Sequence, residues 1–349
     1  MQSGNSLYAI VHAKYGKHLN EQDYKALVGS KSVSEIVMYL RSHTVYADAL
    51  KGIRGDDLHR GHLEQLIKQW ATAEENRIAR FEKGVGVKFY NYTFQKNSIN
   101  EILQFLRLLS AGREKEYVLF MPRNTSDYPA VNLKRLSQST NLIEVIASVK
   151  DKQIKEILLE VQSKQFTGQS DFNYTLIEFA LRRYLEELGL SLAKSYSKKS
   201  YTEMCEIYGI WCDLENVERI YRMKRFGIED SEYIKRFLFD RYYKIKPSML
   251  EKMIEAKDET EVFELFNSTY YKKYKDLVRY HDINNYARCI YHLIMKHYFT
   301  FSTDPVVSVV AYNKLCETEM QNLYRIIESV RYGLDKKEIS KNLAGYREV

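Results

Sequence analysis

A pattern that recurs three times sets the architecture of this 349-residue chain before any chemistry is considered. In each copy an apolar residue is followed by a glutamate, two apolar residues and, after two variable positions, a further apolar one. The copies are Leu27 with Glu35, Ile36, Val37 and Leu40; Leu136 with Glu144, Val145, Ile146 and Val149; and Met253 with Glu261, Val262, Phe263 and Phe266. The apolar positions after each glutamate fall on one face of a helix, and the glutamate stands at its edge. Copies about 110 residues apart are too widely spaced for a solenoid unit, so they predict three successive homologous domains.

A second repeat follows the first. Asp213, Asn216, Val217, Arg219 and Ile220 match Glu319, Asn322, Leu323, Arg325 and Ile326, and Gly227 and Gly333 follow in the same register. An acidic residue near a helix start, basic residues such as Lys224 and Arg225 in the last turn and a glycine beyond predict a helix with a left-handed end. Ser98, Glu101, Ile102 and Gly112 keep this frame earlier in the chain, with Gln104 where the other copies have arginine. The two repeats together place domains at 1–112, 113–227 and 228–349.

Only 4 prolines and 15 glycines occur, which allows long helices and argues against a turn-rich sandwich or barrel. Helical spacing runs through Ile102, Phe105, Leu106 and Leu109, and again through Ile290, Leu293 and Ile294. The stretch GVGVKFYNYTF, with Val85, Val87, Phe89 and Thr93, reads as helix in preference to a short strand, with Gly84 and Gly86 as an interruption. Gly112 to Val131, with Pro122 and Pro129, reads as a connection between domains, and Glu229, Asp230 and Ser231 as a new helix start. No apolar run reaches membrane-spanning length and no signal segment is visible, so a cytosolic chain is expected.

Motifs for chemistry are weak. His59 and His62 in HRGH read as an exposed loop in preference to a metal chelate, and Cys205 and Cys212 as packing in preference to a zinc pair. Gly84 and Gly86 lack the GK[ST] ending of a nucleotide loop. The repeated glutamates could converge on a cation or a basic shaft; as first-turn residues they need only the helix dipole. Lys and Tyr interleave at Tyr242, Tyr243, Lys244 and Lys246 and again from Tyr270 to Lys275, with a formal net charge of +7. A solvated helix face explains that pattern first, then a surface for an acidic protein or anionic lipid; no recognition motif supports nucleic acid.

The stretch IWCDLENVERIYRMK, from Ile210 to Lys224, resembles a helix of the C-subunit family of V-type and A-type rotary ATPases, whose eukaryotic form is called the d subunit. The C-terminal stretch from Phe301, with Asp304-Pro305, Asn322-Leu323, Arg325-Ile326 and Gly333-Leu334, is similar to the family's closing pattern. So is the N-terminal stretch through Leu7, Leu19, Asp23, Tyr24, Leu27, Leu40 and Tyr46. Glu328, Ser329, Val330 and Arg331 stand where the family often has an I-x-x-G-K turn.

The resemblance implies an all-α, funnel-shaped socket of three homologous helical domains in pseudo-threefold arrangement, peripheral on the cytoplasmic face of the membrane. Its partners would be central-shaft subunits of the D/F type and the proteolipid ring, with no nucleic acid and no small-molecule substrate. It would be a non-catalytic coupling subunit with no cofactor or metal. A helical adaptor of another membrane-associated complex is the alternative. The basic helix ends make Arg219, Arg222, Arg225 and Arg325 the candidate interface residues, with intradomain ion pairing as the competing role of each.

Overall fold

Many helices in this protein begin at a short oxygen-bearing side chain, such as Asn20, Ser32 or Asp304, and several end at glycine. The computed structural model describes residues 2–52, 60–122, 124–163, 172–275 and 283–346. Those residues form seventeen α-helices and no strand, with one isolated antiparallel bridge between Val131 and Val149. In chain order the helices are α1 (Gln2–Tyr15), α2 (Glu21–Val28), α3 (Val33–His43), α4 (Arg60–Gly84), α5 (Tyr90–Ser110), α6 (Tyr117–Phe120), α7 (Leu133–Leu136), α8 (Leu142–Ser148) and α9 (Lys152–Ser163). They continue with α10 (Tyr174–Tyr196), α11 (Lys198–Arg225), α12 (Ser231–Lys235), α13 (Pro247–Glu255), α14 (Glu259–Phe266), α15 (Ile283–Phe301), α16 (Pro305–Arg331) and α17 (Lys336–Lys341).

The three motif glutamates do the same local work. Ser32, Asn141 and Asp258 cap α3, α8 and α14 by accepting the backbone N–H of Glu35, Glu144 and Glu261 at 3.2, 3.0 and 2.9 Å. Each glutamate returns the favour, taking the N–H of Lys31, Thr140 or Lys257 at 2.7, 2.7 and 2.9 Å. A helix start has orphan donors and a positive dipole end, and a carboxylate in the first turn satisfies both. For Glu144, the bond from the Thr140 backbone holds the carboxyl below its ordinary range.

The repeated glycines are equally regular. Gly112, Gly227 and Gly333 have φ of 66°, 73° and 70°, a region that only glycine enters freely. The N–H of the next residue then reaches back into the helix, from Arg113 to Leu108 O, Ile228 to Met223 O and Leu334 to Ser329 O, at 2.8, 3.0 and 3.0 Å. Gly86, with φ 79°, makes a fourth such corner, closed by Val87 N–H on Glu82 O at 2.9 Å. Helix in the GVGVKFYNYTF stretch accordingly starts only at Tyr90, and Val85 to Phe89 form the turn between α4 and α5.

Two compact units divide the chain, one formed by residues 72–201 and the other by residues 1–71 with 202–349. In the first, α5 packs on α7 and α10, and α9 on α8 and α10. Ile102, Phe105 and Leu106 meet Leu136, Val145, Ile146, Leu158 and Leu181 in its core. The segment Gly112 to Val131, expected as a connection, instead sends Tyr117 and Tyr128 into this core. Its Asp127 is buried and accepts bonds from Asn76 at 3.1 Å, Arg80 at 2.5 Å and Asn124 at 3.0 Å. Turn-forming polar residues there build small local turns in a packed wall, which composition alone does not distinguish from a linker.

One side chain in this unit is costly. Glu82 is fully buried, and neither carboxyl oxygen has a hydrogen-bond partner among the described residues. Burial drives its pKa well above the ordinary value, so the folded chain holds this proton to higher pH than the unfolded chain does. Well below pH 4.5 both folded and unfolded forms hold that proton. At higher pH only the unfolded form ionises, and stability falls by about 1.4 kcal/mol per unit until the folded pKa is reached. Glu82→Leu is therefore expected to stabilise the unit by about 1–3 kcal/mol at neutral pH, and chemical denaturation across pH should show the gap between the two proteins widening as pH rises.

The second unit joins the beginning of the chain to its end. Leu27, Ile36, Val37 and Leu40 of α2 and α3 share a core with Leu63 and Ile67 of α4 and with Leu323, Ile326 and Ile327 of α16. Helices α1 and α15 pack on α16 as well.

Candidate interaction surface

The second repeat turns out to be a set of pins that hold loops against long helices. On α11, buried Asp213 accepts the backbone N–H groups of Tyr243, Lys244 and Ile245 at 3.1, 2.7 and 3.1 Å and the Tyr271 hydroxyl at 3.0 Å. One turn on, Asn216 brackets Phe239, accepting its N–H at 2.7 Å and donating to its carbonyl at 2.9 Å. On α16, Glu319 accepts the Leu19 N–H at 2.9 Å and the Tyr46 hydroxyl at 2.7 Å, and pairs with His18 Nδ1 at 2.9 Å. Asn322 brackets Ala344 in the manner of Asn216, donating at 2.8 Å and accepting at 3.0 Å. In the other unit Ser98 keeps one bond of the set, accepting the Ala130 N–H at 3.3 Å, and Glu101 accepts the Tyr117 hydroxyl at 2.8 Å.

Cys316 Sγ lies 3.6 Å from His18 Nε2, with Glu319 on the other ring nitrogen. The order resembles a thiol nucleophile with its base and orienting acid. All three side chains are buried, however, and His18 Nε2 also lies 3.1 Å from the Tyr312 hydroxyl, so the cluster closes on itself as packing. Of the other chemistry-bearing residues, His59 lies outside the described residues and His62 is exposed on the first turn of α4. Cys205 and Cys212 are half-buried and buried on α11, both as free thiols. Among the described residues no three histidine, cysteine or acidic side chains are placed to hold a metal ion.

The four candidate arginines separate by position. Arg219 is largely buried, its guanidinium 5.3 Å from the Phe239 ring centre and 3.5 Å from Glu215. Arg325 is half-buried on α16. Arg222 is exposed and pairs with Glu218 one turn back, and Arg225 is exposed in the last turn of α11. Beside Arg225 stands Phe226, 81% exposed, and at the matching corner of α16 Tyr332 is 65% exposed beside Arg331, followed by exposed Leu334. Both rings stand in water just past the end of a long helix. Sequence reasoning passed over both rings, although Arg225-Phe226-Gly227 and Arg331-Tyr332-Gly333 stand in plain register.

No helix among the described residues is long and apolar enough to cross a membrane. Residues 7–342 match the model of the ATP synthase (C/AC39) subunit family. The chain is also similar to the C subunit of the A-type ATP synthase of Methanosphaera stadtmanae, with 22% identity over 271 residues. That alignment covers 75% of this chain and 65% of the relative, just under two thirds of the relative's length.

Proposed function

Because the chain belongs to the C/AC39 family of ATP synthase subunits, we propose that it is a non-catalytic rotor subunit of a V/A-type ATPase, coupling the central shaft to the membrane proteolipid ring. In this reading it sits peripherally on the cytoplasmic face, with three homologous helical domains forming a pseudo-threefold socket. The family match across residues 7–342 carries the proposal. The build of the molecule suits it. A coupler transmits torque only if it does not yield, and pins such as Asp213 and Glu319 tie loops to long helices through several bonds each. Its grip on neighbours would come from exposed rings at stiff ends, Phe226 and Tyr332, with Arg222 and Arg225 beside the first.

The test is recovery of partners by tagged protein from gently solubilised native membranes, with the bound chains identified by mass spectrometry. Wild-type protein should bring down proteolipid and shaft subunits. The double variant Phe226→Asp with Tyr332→Asp should melt at the wild-type temperature, since both side chains face water, and lose at least about tenfold in recovery, the scale of one hot-spot residue. Failure of the wild type to recover either partner, from an extract in which the rotary ATPase is intact, would overturn the reading.

A further inference from the structure

The rotor reading leaves the interleaved lysines and tyrosines of the α12–α13 and α14–α15 connections without a role. The fold brings several of them together. Asp213 takes the N–H groups of residues 243 to 245 and the hydroxyl of Tyr271, and so draws the two segments together. Lys244 Nζ then lies 4.2 Å from the ring centre of Tyr243 and 5.0 Å from that of Tyr270. Lys273 Nζ lies 4.0 Å from Tyr270 and 5.0 Å from Tyr274. Lys244, Lys246, Lys272, Lys273 and Lys275 are all exposed, as are Tyr242, Tyr243 and Tyr270. Among the described residues no carboxylate pairs with any of the five lysines.

We propose that this face binds the anionic headgroups of a lipid bilayer. Lysines that no described carboxylate pairs with seek negative charge, and the composition of the face decides between the sources. The cations set among the tyrosines are lysines, with Arg236 and Arg241 earlier in the same connection; lysine is a hydrated point charge suited to a diffuse field of phosphates, whereas carboxylates of an acidic protein are best gripped by the two-pronged fork of arginine. The rings are tyrosines, whose apolar body and hydroxyl tip suit the headgroup layer. Each lysine held near an anionic leaflet strengthens attachment roughly fivefold, and the effect decays within a Debye length.

The experiment needs no other protein of the complex, so its outcome is separate from that of the rotor reading. Purified full-length protein is sedimented with vesicles of phosphatidylcholine alone and of phosphatidylcholine mixed with phosphatidylserine. Binding to the mixed vesicles only, weakening with salt, is expected. The variant K244Q/K246Q/K272Q/K273Q should bind at least tenfold less, while K134Q/K150Q/K152Q/K155Q, with the same change in net charge at exposed sites of the other unit, should bind as wild type. All eight side chains are exposed, and thermal melts verify that both variants fold. The proposal is overturned by absence of binding to mixed vesicles or by equal losses in the two variants. It is likewise overturned if the patch variant loses capture on immobilised polyglutamate while keeping its vesicle binding, which would mark an acidic protein as the occupant.

Discussion

Asp213→Ala is expected to cost about 3–5 kcal/mol of stability, the range for breaking a buried hydrogen-bonded network. The carboxylate serves four donors at once, three of them consecutive backbone N–H groups. Removing it strips the acceptor from all four donors, of which the Ile245 N–H and the Tyr271 hydroxyl lie in buried bonds. Burial pushes the Asp213 pKa up and outweighs the four hydrogen bonds that pull it back. Tyr271→Phe removes one donor together with its hydroxyl and should cost only about 1 kcal/mol. Urea unfolding of the two variants side by side reads the difference; equal costs would show that the backbone donors find other acceptors.

The second large effect is expected at Gly345. Its φ of 80° already excludes most side chains, and a Cβ added there would overlap the imidazole of His292 on α15. Gly345→Ala should therefore lose about 3 kcal/mol, combining roughly 1–2 kcal/mol of left-handed strain with displacement of a packed ring. Gly333 supplies the control, because it has φ 70° and nothing near its absent Cβ. Gly333→Ala should cost only the backbone share, about 1 kcal/mol. Removing the obstacle separates the two contributions. Adding His292→Ala to Gly345→Ala should cost less than the sum of the single changes in thermal or urea unfolding, whereas strict additivity would mean that the ring never opposed the Cβ.

Local structure was legible in this sequence wherever one residue type has one physical use. Glycine eleven residues beyond Asn216 and Asn322 announced left-handed corners, and the corners are there. A glutamate at a fixed distance before an apolar face announced a helix start, and Glu35, Glu144 and Glu261 each close one. Helix content followed from the same periodicity. Partner choice did not, because an apolar stripe records which face of a helix is buried and carries no label for what buries it. Thus Leu27 and Leu40 gave no hint that Leu323 and Ile326 would meet them. The candidate surface was half legible. Basic residues at helix ends drew attention to Arg222 and Arg225, which face water, and equally to Arg219, which the fold turns inward over Phe239. Phe226 and Tyr332 were overlooked because an aromatic residue in sequence is read as core by default.

The core shared by α2, α3 and α16 also dictates a timetable. The Tyr46 side of the bond to Glu319 leaves the ribosome 273 residues ahead of its acceptor, an interval on the order of tens of seconds at usual rates of synthesis. Throughout it the apolar face of α2 and α3 lacks the surface that completes it, while residues 72–201 carry all the contacts of their own core and can settle as they emerge. The apolar face of α2 and α3 thus waits far longer for its partner than does the core of residues 72–201.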